Sequence, residues 1–378
     1  MRQEEIKALS VPYSIEDGAE DRFYSSIGAD VPSAAKLSNE ILGDLDNSSL
    51  GISWWGSLPT QERILISDYS YQCATGIEVN LAEAKLHYLE WLDARERDNK
   101  RIADVISRDA SGQLSCKMPP SRSPLDDLPS RLEAVHVCGF FRAIGSSLDC
   151  LGAMMISVLG LSTPLRRTDI GKAENALSRI VDSNTAGSRL QIDFRTFYEQ
   201  ARRLCGVEDW LEWANQYRNM FVHRGRRITY HRIIPREALL LDAKGQIIPR
   251  ATSTFHLAKC PDRSEIEAFI KSKDILLGED ADITLKGIFK SGRDLQENIC
   301  ERLLSIWCER RKSPAMIEQP IDQWDARIRP CNFDGYEPNS QHHSDTLAVI
   351  NPVLSRRMRS ASVDDAHRNL WVSSPWSQ

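Results

Sequence analysis

Residues 140–161 read FFRAIGSSLDCLGAMMISVLGL. Val137, Phe141, Ile144, Leu148, Leu151, Met155 and Val158 recur at steps of four and three, the spacing that lays one unbroken apolar seam along an α-helix. Gly145, Ser146, Ser147 and Gly152 share this stretch and are small enough to admit a second helix at close range. Upstream, Ser130-x-x-Glu133 has the form of a capping box. Downstream, Gly160 and Pro164 supply the stop. A helix this apolar has to be wrapped by others, so the chain is predicted to be mainly α.

The flanking sequence supplies those partners. A shorter helix is predicted at about 170–182, with Ala173, Leu177 and Ile180 inward, and two helical stretches within 192–224 meet at Gly206. A further helix spans about 281–311, carrying Leu285, Ile288, Leu295, Ile299, Leu303 and Ile306. Its last turn holds Arg310, Arg311 and Lys312, cations that suit the negative end of a helix dipole. Upstream, residues 60–107 read as helix, either continuous or broken near Gly76, with Ile77, Leu81, Ala84, Tyr88 and Leu92 as the inward stripe. Trp54-Trp55 is expected to dock on the helices that follow it.

Three segments break the helical pattern. Pro119, Pro120, Pro124 and Pro129 fall within a Ser- and Asp-rich run that no helix or strand survives. Residues 227–235, RITYHRIIP, look like a strand, and Asp242-Ala243-Lys244-Gly245 stands as a turn between two apolar runs, which predicts a hairpin. Residues 313–378 hold six prolines and little periodicity. The organisation expected is an N-terminal helical region at 1–110, a Pro-rich linker at 111–129, a helical domain at 130–312 with a small antiparallel β insertion at about 227–258, and an irregular tail at 313–378.

Composition excludes several classes. With 378 residues, 41% hydrophobic and 27% charged, the usage is that of ordinary globular domains. The net charge of −5 gives no global positive field, so any contact with nucleic acid has to come from a local patch. The longest apolar run, Leu148–Leu161, contains Asp149 and falls short of the roughly 20 residues of a membrane span. The nine cysteines include no C-x-x-C pair, so reduced thiols in a cytoplasmic protein are expected, and no disulfide framework or zinc site. No cofactor or metal motif occurs: phosphate loop, dinucleotide fingerprint, nucleophile elbow and H-E-x-x-H are all missing. His342-His343 with Asp345 reads as a loop in the Pro-rich tail. Cys150 and Cys205 read as packed thiols, not nucleophiles.

The local patch is found in WLEWANQYRNMFVHRGRR, residues 210–227. Trp210, Ala214, Tyr217 and Phe221 form the stripe that fixes this helix on a core, and Asn215, Arg218, Asn219 and His223 lie off it. Between Arg218 and Arg236 there are six arginines and two histidines with no Asp or Glu, the composition of a phosphate-binding surface. Ser147 and Asp149 of the long helix are candidates to face Arg218, by a structural hydrogen bond or across a groove.

R-N-M-F-V-H at 218–223 resembles the R-N-x3-H form of the motif of HEPN domains, all-helical modules found in many ribonucleases of toxin and antiviral systems. The long helix at 140–161 is similar in character to the first helix of such families, and the resemblance covers about 130–312. Arg131-x4-His136 and Arg226-x4-His231 repeat the spacing, but neither has the adjacent Asn or the arginine-rich exit.

The resemblance implies a HEPN-like four-helix bundle and metal-independent cleavage of RNA by its own 2′-hydroxyl. His223 would move the proton, Arg218 would hold the scissile phosphate, and Asn219 would orient one of them. Neighbouring arginines would hold the His223 imidazole below its ordinary value of about 6.5. Arg224, Arg226 and Arg227 are the expected RNA contacts. One Arg–His pair per chain points to a homodimer with a composite site, held through Trp210, Trp213 and the small-residue helix around Gly145–Gly152. A regulated toxin or defence effector, restrained by a partner sensor or antitoxin, is the role implied. The alternatives are a non-catalytic HEPN-like module that binds RNA, nucleotide or an acidic partner protein, and a purely structural assembly protein.

Overall fold

The structure is a computed structural model. It describes residues 30–46, 51–108, 114–116, 128–224, 229–241, 247–258, 267 and 278–324. Of Val222, His223, Arg224 and the strands after them, only the backbone is described, Leu257 and Asp280 apart. Arg226, Arg227, the turn Asp242–Gly245, His342, His343, Asp345 and the tryptophans of the tail lie outside the described residues.

The protein is mainly helical. Among the described residues the helices are α1 (Pro32–Asp44), α2 (Thr60–Val105), α3 (Leu128–Leu159), α4 (Ile170–Ser178), α5 (Ala186–Leu204), α6 (Trp210–Arg224) and α7 (Ala281–Lys312). Strands are short except after α6, where Thr229–Leu241 pairs antiparallel with Ile247–Ala258, with an irregularity between Arg236 and Leu240. The described residues fall into two compact units. The first draws on 30–81, 143–218 and 286–324, and the second on 82–142 and 219–285.

In the first unit the C-terminal part of α3 is the core. Ile144, Leu148, Leu151, Met155 and Val158 are fully buried, and so are Met154, Ile156 and Leu159 on the other sides of the helix. By length and composition α3 could cross a membrane, but 78% of its most apolar window is buried within the protein. Gly160, at φ +61°, ends the helix with Leu161 N–H donating to Ile156 O, a conformation that favours glycine. α2 passes Gly76 unbroken. The glycine is there for proximity: a Cβ would stand 2.9 Å from Cys150 Sγ.

Side-chain caps start the next two helices. Asp169 accepts from Lys172 N–H at 2.8 Å to start α4, and Thr185 accepts from Ser188 N–H at 3.1 Å to start α5. Trp54 and Trp55 dock as expected, edge-on to one another and to Trp307 of α7. Arg310 departs from expectation. It is 1% exposed, stacked over Trp54 and Trp55, and its guanidinium donates to Ser157 O, Val158 O, Ile317 O and Gln319 Oε1. It therefore answers the C-terminal carbonyls of α3 and not those of its own helix, and burial pushes its pKa down to about 9.

In the second unit, Ala84, Trp91 and Ala94 of α2 are buried, and so are Val137, Phe140 and Phe141 of α3. The stripe expected to continue through Tyr88 and Leu92 shifts to Trp91 and Ala94, a seven-residue step from Ala84. Tyr88 instead donates its hydroxyl to Asp282 at 2.7 Å. α3 opens at Leu128, so the Ser130–Glu133 capping box does not form. Ser130 stands inside the first turn, where its hydroxyl donates to Asp98 at 3.0 Å, and Glu133 is buried.

Candidate functional site

The helix that carries the motif is fixed from its start. The loop before α6 turns on Asp209 at φ +58°, whose carbonyl accepts from Trp213 N–H at 2.9 Å. Gly206 leaves room for this turn, since a Cβ there would stand 2.6 Å from Trp210 and from Ser291 Oγ. Trp210, Leu211, Ala214 and Tyr217 are buried. Burial of four side chains within eight residues fixes the rotation of the helix and hence the direction of what lies off the stripe.

Arg218 lies off it. Its side chain crosses Gly145, where a Cβ would meet Arg218 Cδ at 2.3 Å, and its Nη2 donates to Asp149 Oδ2 at 2.6 Å. Asp149 Oδ1 also accepts from Ile170 N–H at 3.3 Å, which ties the carboxylate to the start of α4. The two side chains are 26% and 22% exposed, so the pair sits at the rim of the core. Burial pushes the Asp149 carboxyl above its ordinary range, while Arg218 and the Ile170 N–H pull it back. The outcome is a partly exposed guanidinium held in one direction by a carboxylate.

Ser147 is not part of this arrangement. It is fully buried, donating to Ile77 O at 2.8 Å and lying 2.6 Å from the Gln296 amide oxygen. Nor is the small-residue stretch free to receive a second copy. Gly145 is covered by Arg218, and a Cβ on Gly152 would stand 3.0 Å from the backbone of Asp169 and Ile170. Trp210 is buried within the chain. Of the surface expected to hold a dimer, Trp210 and the positions of Gly145 and Gly152 are thus used within the fold, while Trp213 is half-buried.

Asn219 is exposed. His223 and Arg224 belong to the last turn of α6 by their backbone, and their side chains lie outside the described residues, as do Arg226 and Arg227. Of the two other matches to the motif spacing, Arg131 is exposed in the first turn of α3, and His136 is taken by His87, Nδ1 to Nδ1 at 3.1 Å. His231 lies on the strand that follows α6.

Two constellations went unread in the sequence because their members are far apart along the chain. The first surrounds the two histidines. Glu83 pairs with Arg142 at 2.7 Å and lies 3.6 Å from His87, and a cavity of about 400 Å³ beside them is lined by His87, Cys138, Arg142 and Phe221. The His87 ring occupies the space that a Cβ on Gly139 would need. The second is a thiol contact: Cys150 hydrogen-bonds Cys73, and the Asn80 amide donates to Cys150 Sγ at 3.8 Å. Cys205, by contrast, is an ordinary packed thiol, held by Asn298 and pushed up by burial. Among the described residues, no group of three or more metal-ligating side chains comes together.

No protein-family model matches the chain, and neither a curated protein nor a solved structure does.

Proposed function

We propose that the chain is a metal-independent endoribonuclease of the HEPN kind, a HEPN-like four-helix bundle with a β insertion at about 227–258. The observation that carries the reading is Arg218. It stands on the motif helix beside a buried stripe, is aimed by Asp149 at 2.6 Å, and is partly open to solvent. A phosphate-binding arginine needs that combination of fixed direction and access. His223, five residues on in the same helix, takes the proton of the ribose 2′-hydroxyl as that oxygen attacks the adjacent phosphorus. The bond to the 5′-oxygen breaks, a proton is delivered to that oxygen, and a cyclic phosphate is left. Asn219, exposed next to Arg218 in sequence, orients the phosphate or the imidazole. Arg224, Arg226 and Arg227 supply contacts to the flanking phosphates. A second protomer completes the site, because a single histidine cannot both remove and deliver the proton in one step. A cytoplasmic effector of this kind needs a restraining partner.

The test uses the full chain on end-labelled RNA, with and without chelator. Cleavage that survives chelator, leaves cyclic phosphate ends and disappears in His223→Ala and Arg218→Ala is the expected result. Cleavage unchanged in His223→Ala overturns the reading.

The Asp149 pairing also favours a second reading, a non-catalytic module that binds RNA, nucleotide or an acidic protein. The carboxylate already answers the charge of Arg218, which leaves affinity to the arginines after it. Retention of RNA without cleavage selects this reading. Replacing Arg224, Arg226 and Arg227 by Ala would then lower the logarithmic salt slope by about 0.7 per contact on single strands.

A further inference from the structure

Three groups of residues lie outside the proposed site and have chemistry of their own: the His87–His136 pair, the polar cleft along α4, and the thiols between α2 and α3. The thiols carry the argument furthest. Cys73, Gly76 and Asn80 follow one another at steps of three and four along α2, so they share one face of that helix. All three meet Cys150. Its Sγ hydrogen-bonds the Cys73 thiol, accepts from Asn80 Nδ2 at 3.8 Å, and lies 2.9 Å from where a Gly76 Cβ would be. A side chain at position 76 would crowd that sulfur, so the glycine lets Cys150 lie against α2. Disulfides need Cα atoms within about 7 Å, an approach of two helices that a glycine makes possible.

We infer that Cys73 and Cys150 form an oxidisable thiol pair, closed by hydrogen peroxide into a disulfide that joins α2 to α3 one residue from Asp149.

The environment distinguishes the roles of the two sulfurs. Cys150 is partly accessible, whereas Cys73 is 7% exposed, so the oxidant meets Cys150 first. The hydrogen bond from Cys73, with that of Asn80, holds the Cys150 thiol below its ordinary range against the effects of burial and Asp149. This raises the thiolate fraction that reacts. The other thiols with a displaced pKa, Cys205, Cys300 and Cys308, are all pushed upward by burial.

The reaction runs in two steps. The Cys150 thiolate attacks a peroxide oxygen, the O–O bond breaks, and the departing hydroxide takes a proton to become water, leaving a sulfenic acid. Cys73 then attacks the Cys150 sulfur. The S–S bond forms, the S–O bond breaks, and the hydroxide released leaves as water with the proton of Cys73. Two thiols lose two electrons in all, and one peroxide becomes two waters.

The consequence for RNA rests on the proposed nuclease reading, because the residue displaced with Cys150 is Asp149, which aims Arg218. The disulfide itself does not rest on it.

The experiment exposes the native full chain to hydrogen peroxide, blocks the remaining thiols by alkylation, and maps peptides without reduction. A Cys73–Cys150 cross-linked peptide, the loss of two hydrogen masses and reversal by dithiol are the expected results. In Cys73→Ser, a dimedone adduct should accumulate at Cys150, since no resolving thiol remains. Both cysteines of the oxidised wild type taking up alkylating reagent, or Cys150 passing to sulfinic acid with no cross-link, overturns the pair. Neither readout uses RNA, so a failed nuclease assay leaves this result standing, and a missing cross-link leaves the nuclease reading untouched.

Discussion

Arg310 Nη1 donates to Val158 O at 2.9 Å, so the last turn of α7 closes the last turn of α3. Helices leave their final carbonyls without partners, and those groups are costly when buried. In α3 the end is buried, and one guanidinium from another helix reaches Ser157 O as well as Val158 O. The planar fork also reaches Gln319 and Ile317 while its face lies 5.1 Å from the Trp55 ring centroid. Here the cation is a structural part, surrounded by carbonyls and aromatic faces.

Arg310→Met should therefore be strongly destabilising although it fills the space with apolar atoms. It would leave several buried acceptors without a donor, each worth about 1–3 kcal/mol. A loss above about 3 kcal/mol by urea denaturation is expected, and Arg310→Lys should recover only part of it, because an ammonium cannot reproduce the fork. Arg311 beside it offers the control. It pairs with Glu40 and Asp44 near the surface, and Arg311→Met should cost no more than about 1 kcal/mol.

The His87–His136 contact sets a pH dependence. Burial lowers both imidazoles, and a charge on His136 further opposes the charging of His87. Glu83 and Glu90 favour the charged forms, and Arg142 opposes that of His87. With folded values below the unfolded value of about 6.5, the unfolded chain takes up protons first as pH falls. Stability is thus fully present above about pH 6.5 and is lost as pH drops below it. His136→Gln, which keeps an amide donor for His87, should flatten the denaturation midpoint against pH across that range. An equally steep profile in the variant would assign the loss to other groups.

How far these features could be read along the chain depended on what each residue type usually does. The α3 seam was legible because Val137 to Val158 repeat at helical spacing, and the helix stops at Gly160 where a left-handed conformation was needed. The α6 stripe of Trp210, Ala214 and Tyr217 was legible for the same reason. Arg310 was not, because an arginine in a last turn ordinarily faces solvent. Gly76 left a break in α2 open in the sequence, and the helix runs through it with the glycine serving close approach to Cys150. The run of small residues on α3 read as room for a second helix and as part of a dimer surface; the first holds within the chain, since Arg218 of α6 and the start of α4 fill it. Asp149 stands in the sequence, together with Ser147, as a candidate to face Arg218, 69 positions away from it. Only tertiary packing decides between the two: Asp149 takes the arginine, and Ser147 is buried against Ile77 and Gln296.

Removing either member of that pair should act differently on stability and on pH. The Asp149 carboxyl is already raised by burial with Arg218 in place. In Arg218→Ala the opposing charge is gone, so the carboxyl should move further up. A raised folded value means stability that is present at low pH and lost as pH rises through it. Arg218→Ala should therefore lose more stability at neutral than at mildly acidic pH, while Arg218→Ala with Asp149→Asn should recover most of the neutral loss. Denaturation midpoints of both variants across acidic and neutral pH check this, and a loss independent of pH would contradict it.

Gly145→Ala separates the position of Arg218 from its presence. The added methyl would stand 2.3 Å from Arg218 Cδ and 2.5 Å from its Nε, an overlap that has to be relieved. The obstacle is a flexible side chain and not backbone, so the arginine can swing outward while the helices keep their packing. Alanine also favours the helix by about 1 kcal/mol over glycine. The variant should therefore stay folded, with a midpoint near that of the wild type, while the Arg218–Asp149 bond is lost. Under the nuclease reading, a guanidinium present but no longer aimed should lower cleavage by at least about tenfold, since misplacement of a catalytic group is costly. Affinity for RNA should change little, because the charge remains on the surface. Helical content by circular dichroism, the midpoint of unfolding, RNA retention and cleavage rate, measured on the same preparation, test the argument. Full cleavage with the Arg218–Asp149 bond broken would show that the direction of Arg218 has no part in the chemistry.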